Sequence, residues 1–222
     1  MTSAVEDRLF AAIEAGDPAS VRALIHRDRT LARARDAAGV SALMRSRYRS
    51  DRPVMDAILE AEPELDLFEA ASFDDRARLE QLLATPGLVH EVSADGFTAL
   101  HFAAFFGKVS AAEDLIAAGA DPDARGRGWM TGTPLHSAAS GRHDRLVSLL
   151  LAAGADPNAR QSGGWTPMHG AAHNGDDTTA TLLLARGADP AAVNDEGVSV
   201  LTMAEERGDP ATIATLRAAL EV

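Results

Sequence analysis

The chain has 222 residues, 46% hydrophobic and 24% charged, which suits one large folded domain or two small ones rather than a disordered segment. It has no cysteine, so disulfides, thiol catalysis and cysteine-ligated metal centres are excluded. The net charge of −12 is uneven: residues 1–63 set ten Arg/Lys against ten Asp/Glu, residues 64–222 set eleven against twenty-three, and such an acidic body disfavours general binding to a phosphate backbone.

The first ten residues show no basic-then-apolar leader, and no stretch approaches a membrane span. A cytoplasmic protein without membrane contact is the expectation. Residues 27–52 are rich in arginine: Arg27, Arg29, Arg33, Arg35, Arg45, Arg47, Arg49 and Arg52, opposed by Asp28, Asp36 and Asp51. Within this run Arg45, Arg47, Tyr48, Arg49 and Arg52 form a possible second patch for an acidic protein, a phosphate or nucleic acid. Pairing with the acidic body, or plain solvation, explains the same residues.

Beyond residue 97 the chain repeats itself with a period near 33. Thr98-Ala-Leu-His-Phe-Ala-Ala104 returns as Thr133-Pro-Leu-His-Ser-Ala-Ala139, as Thr166-Pro-Met-His-Gly-Ala-Ala172 and, degraded, as Ser199-Val-Leu-Thr-Met-Ala204. Each of the first three precedes an apolar run that ends in Gly-Ala-Asp-Pro, at Gly119, Gly154 and Gly187. Thr133 and Thr166 read as helix caps followed by proline in the first turn, where its missing N–H leaves nothing unpaired. Gly107, Gly175 and Gly208 fall nine residues after the Thr/Ser, where the first helix should close in a left-handed turn. A second helix follows, with Leu149–Leu151 or Leu182–Leu184 facing a core. One such unit cannot bury its apolar face alone, so neighbours must stack.

At these motifs the chain resembles the ankyrin-repeat family. The match is close over residues 98–198. Leu9–Gly16 and Val21–Ile25 resemble an N-terminal capping unit, Leu65–Leu83 another unit, and residues 199–220 a C-terminal cap. The resemblance implies an all-α solenoid of helix-turn-helix units with protruding loops or short β-hairpins. The expected division of this single domain is a cap over 1–40, a shortened unit over 41–63, a unit over 64–97, well-formed units over 98–132, 133–165 and 166–198, and a cap over 199–222.

Two departures stand out. Ser41-Ala-Leu-Met44 and Ala57-Ile-Leu59 look like one unit, yet the next begins near Leu65, so the loop is missing and Glu62-Pro63 should join two helices almost directly. Arg142 stands where the glycine cap belongs, and Gly141 beside it is expected to take over that role.

His101, His136 and His169 recur with the repeat. The resemblance assigns each to backbone groups of its own or the adjacent unit, and one-unit spacing is too wide for a shared metal. Residues 126–132, Gly-Arg-Gly-Trp-Met-Thr-Gly, lack the Lys-Ser/Thr ending of a phosphate loop and read as a lengthened inter-unit loop. No nucleophile–base pair emerges, so no catalysis, cofactor or metal is expected. The aromatic residues carry the strongest functional signal. In the ankyrin family the contact positions lie in the loop before the Thr and just before the first-helix glycine, and here those slots hold Phe97, Phe105, Phe106, Trp129, Met130, Trp165 and His173. Arg125, Arg127 and Arg160 flank the same loops. Clustered exposed apolar groups mark interfaces, and Trp and Arg are common anchors. The expectation is a protein-interaction module, monomeric with self-association open, binding another protein in a concave groove. The rival reading is a regulatory or inhibitory subunit whose acidic body mimics nucleic acid or blocks a basic enzyme.

Overall fold

The computed structural model describes residues 3–127 and 131–221. Fourteen α-helices lie among them: α1 (Ala4–Glu14), α2 (Pro18–Arg27), α3 (Ala42–Tyr48), α4 (Arg52–Leu59), α5 (Leu67–Phe73), α6 (Arg76–Leu83), α7 (Ala99–Phe105), α8 (Val109–Ala117), α9 (Pro134–Ser140), α10 (Asp144–Ala152), α11 (Pro167–Asn174), α12 (Asp177–Leu184), α13 (Val200–Arg207) and α14 (Pro210–Leu220). The fold is all-helical and repetitive. Where short hairpins are expected, single antiparallel bridges occur, Arg35 with Ser41, Val92 with Thr98 and Val193 with Ser199. The chain divides into two compact units at Glu69/Ala70.

In the N-terminal unit α1 packs on α2 and α3, and α4 on α2 and α3. Leu9, Ile13, Val21, Leu43, Val54 and Ile58 are sealed in its core. Ser3 opens α1 with a capping box, its hydroxyl accepting from the Glu6 N–H while Glu6 accepts from the Ser3 N–H. Residues 60–66 separate α4 from α5, against 118–133, 153–166 and 185–199 later in the chain, so the loop is indeed short here. The motif is also rewritten at this point. Asp66 accepts from the Glu69 N–H (2.8 Å), and Glu69 accepts from the Asp66 N–H (2.9 Å) and the Ser41 hydroxyl (2.6 Å). Burial pushes the Glu69 carboxyl above its ordinary range.

In the C-terminal unit α7, α9, α11 and α13 pack side by side as an inner layer, and α6, α8, α10, α12 and α14 form the outer one. Ala103, Ala104, Ala138, Ala139, Ala171 and Ala172 are fully buried, which lets the inner helices approach closely. Leu115, Leu146, Leu150 and Leu183 fill the space between layers.

In the turn between the two helices of each pair one residue takes a left-handed backbone: Gly16, Ser50, Asp74, Gly107, Arg142, Gly175 and Gly208, with φ between 54° and 78°. Arg142 (φ 57°) therefore adopts the strained conformation itself, and Gly141 stays right-handed (φ −82°). Gly141 does follow the last helical residue as the C-cap, its N–H donating to the Ala139 and Ser137 carbonyls, but the left-handed step falls on Arg142. Gly141 serves another purpose: the His143 ring lies where a Cβ at 141 would stand.

Candidate functional site

Three successive repeats of the C-terminal unit are each tied to the next through a histidine. Nδ1 of His136 accepts from the Thr133 N–H (3.1 Å), and its Nε2–H donates to the carbonyl of Trp165 (3.1 Å). His101 links Thr98 to the Gly132 carbonyl, and His169 links Thr166 to the Val198 carbonyl, in the same way. Burial lowers the basicity of all three and pushes His136 down to about 4. A neutral ring is what the arrangement needs, because Nδ1 must accept while Nε2 donates. Among the described residues no cluster of three or more His, Asp or Glu could hold a metal.

The loops are joined one to the next as well. The Arg127 N–H donates to the Gly96 carbonyl (2.8 Å), the Thr131 and Ser162 hydroxyls are 2.8 Å apart, and the Asp195 N–H donates to the Gly163 carbonyl (2.9 Å). Arg125 donates to the Arg160 carbonyl, and Arg160 pairs with Asp195 at 3.2 Å. Arg125 and Arg160 are thus exposed but tied to neighbouring loops. Arg127 is exposed, and its side chain has no ion-pair partner among the described residues.

The aromatic residues separate into three situations. Phe97 is only 8% exposed, just ahead of the inner helix, and its ring meets those of His101 (tilted) and Phe102 (edge-on), so it belongs to the core and not to a contact surface. Trp165 is half-buried, tilted edge-on to His169 (centroids 5.4 Å) above Gly163, where a Cβ would meet its indole nitrogen. Phe105 is 49% exposed and meets the half-buried Phe106 edge-on at 5.0 Å. His173 is exposed on the last turn of α11. Trp129 and Met130 lie outside the described residues.

The arginine-rich run of the N-terminal unit is largely paired within that unit. Arg45 meets Asp36 (2.5 Å), Arg49 meets Glu14 (3.1 Å) and Arg52 meets Asp56 (3.0 Å). Arg33 and Arg35 pair with Glu64 and Asp66. Arg47 is half-buried, and Tyr48 is 40% exposed. A groove of about 690 Å³ between α2 and α4 touches the run at Arg29.

Many carboxylates of the acidic C-terminal unit are engaged. Asp75, Asp176 and Asp209 accept from N–H groups at helix starts, and Asp114 holds Arg76 at 2.6 Å. Sequence reasoning passed over Lys108, Arg145 and Arg207, which stand near the turns around Phe105 and His173. Comparing the residue after each left-handed turn across the repeats sets Lys108 and His143 apart from the five aspartates found there elsewhere.

A family model of ankyrin repeats, in three copies, matches residues 67–161 and 135–219. No curated protein matches the chain. No helix among the described residues is long and apolar enough to cross a membrane.

Proposed function

Because the chain belongs to the ankyrin-repeat family, whose repeats are generally protein–protein interaction modules, we propose that it recognises another protein noncovalently, through the loops and inner helices of residues 98–198. The observation that carries this reading is Phe105, a phenylalanine 49% exposed on an inner helix whose neighbouring positions are buried. Phe106, Trp165, His173 and Arg127 belong to the same proposal. The mechanism is preorganisation: histidine and loop bonds fix the surface before the partner arrives, which limits the ordering cost of binding. The reading involves no chemical step and no cofactor. A cytoplasmic setting and a monomeric free state are part of it.

The test is capture of partners from the native organism by immobilised protein, compared with Phe105→Ser. The variant should melt at the same temperature, since its ring is half in solvent, and should lose the captured protein. Undiminished capture overturns the reading.

A further inference from the structure

The chain has three asparagines, Asn158, Asn174 and Asn194, and only Asn174 is followed by glycine. An asparagine side chain is open to attack by the peptide nitrogen of the next residue, above all where that residue is glycine and no Cβ crowds the nitrogen. The reaction consumes only water and needs only base. The Gly175 nitrogen gives up its proton and bonds to Cγ of Asn174, the Cγ–Nδ2 bond breaks, and Nδ2 leaves as ammonia. Water then opens the cyclic imide at one carbonyl or the other, leaving an aspartate or an isoaspartate. A neutral side chain becomes an anion.

The fold locks this peptide shut. Asn174 is the last residue of α11, and Gly175 takes the left-handed turn after it (φ 62°). The Gly175 N–H donates to the Ala172 carbonyl (3.1 Å). Nδ2 of Asn174 donates to the carbonyls of Ser140 (2.9 Å) and Ala139 (3.3 Å) at the end of α9, in the preceding repeat of the same unit. Arg142, from that repeat too, donates to the main-chain carbonyl of Asn174 (3.2 Å). On the other side the Asp209 side chain packs so closely that a Cβ at 175 would collide with it.

To bring Cγ of Asn174 over the Gly175 nitrogen, the helical backbone at 174 must extend. That movement draws Nδ2 off both carbonyls of the preceding repeat and the Gly175 N–H off Ala172. The atom that leaves in the reaction is therefore the atom that fastens one repeat to the other. After the reaction the fastening cannot be remade. A carboxylate at 174 has no hydrogen to offer and faces two carbonyl oxygens, and an isoaspartate also adds a carbon to the main chain at the helix end. Arg142 stands by to receive the new charge, but an exposed pair is worth little and returns no donor to Ala139 or Ser140.

We propose that Asn174 is a site of spontaneous deamidation gated by the repeat stack: the closed junction suppresses it, opening of the junction exposes it, and the product junction is left weaker. The chemistry needs no partner and stands apart from the interaction reading above.

The experiment holds the full chain at mildly alkaline pH, once in buffer and once in urea, and weighs its tryptic peptides at intervals. In urea Asn174 should convert, with the mass gain of NH2 replaced by OH, well ahead of Asn158 and Asn194. In buffer the conversion should be roughly a hundredfold slower or more, as for a group reached only when a folded segment opens. Asn174→Asp should raise the unfolded population roughly tenfold at equal urea, the loss of the two Nδ2 bonds. Asn174→Gln keeps the donor on a longer chain that closes the ring poorly, and should keep its mass in urea. Equal rates in buffer and urea overturn the gating, and an unconverted Asn174 in urea overturns the site. An Asn174→Asp variant as stable as the parent overturns the fastening role.

Discussion

Nε2 of His136 lies 3.1 Å from the carbonyl oxygen of Trp165, 29 residues further on, so the imidazole of one repeat holds the loop of the next. The same ring accepts the Thr133 N–H that opens its own helix. One neutral side chain thereby fixes both a helix start and a repeat boundary.

This bond makes stability depend on pH with a definite sign. His136 titrates near 6.5 in the unfolded chain and at about 4 in the fold, because burial disfavours the charged ring. Above pH 6.5 both states are neutral and the stabilisation is complete. As the pH falls from 6.5 to about 4 the unfolded chain takes the proton first, and this group removes roughly 2–3 kcal/mol. Urea unfolding at steps across that window should show a smaller loss for His136→Gln than for the unaltered protein. The glutamine can still accept the Thr133 N–H but does not titrate. Parallel curves would show that His136 is not the group responsible.

Arg142 and Asp74 share a left-handed backbone but should respond oppositely to glycine. Arg142→Gly relieves the strain and gives up an exposed bond to the Asn174 carbonyl and a long 4.0 Å ion pair with Asp176, both weak, so it should stabilise by up to about 1 kcal/mol. Asp74 accepts from the Ala111 N–H at 2.7 Å, a donor at the start of α8. Asp74→Gly leaves that donor unpaired and should destabilise by about 1 kcal/mol. Chemical denaturation of the two variants checks the pair, and a gain in both would refute the assigned role of Asp74.

Gly96 should tolerate no side chain. Its φ is 92°, and a Cβ there would run into the backbone carbonyl of Arg127, whose own N–H donates to the Gly96 carbonyl. Backbone cannot swing aside as a side chain can, so Gly96→Ala should cost about 3 kcal/mol or more. Gly87→Ala, at φ 82° with nothing within 4 Å, should cost only about 1 kcal/mol. Thermal melting of both proteins separates strain from collision, and equal losses would remove the predicted clash.

The repeat was legible because its physics is local. A Thr cap, a proline in the first turn, paired alanines and a left-handed residue nine positions on are each dictated within one helix, and the histidine bonds follow from the same register. Residues 64–97 were harder to read because Asp66 and Glu69 do by carboxylates what Thr and His do elsewhere. Gly141 caps the inner helix as expected but leaves the left-handed step to Arg142, and glycine content alone does not reveal that the His143 ring needs the space at 141. Phe97 read as a contact residue from its place before Thr98. Whether such a ring turns inward depends on its packing against His101 and Phe102, which pattern does not encode.

The histidines at 101, 136 and 169 each reach the loop of the following repeat. Mechanical load on the last helix pair would therefore be borne by one such fastening at a time. Drawn from that end, the C-terminal unit should open like a zipper, tooth by tooth, with a sawtooth force trace in place of a single rupture.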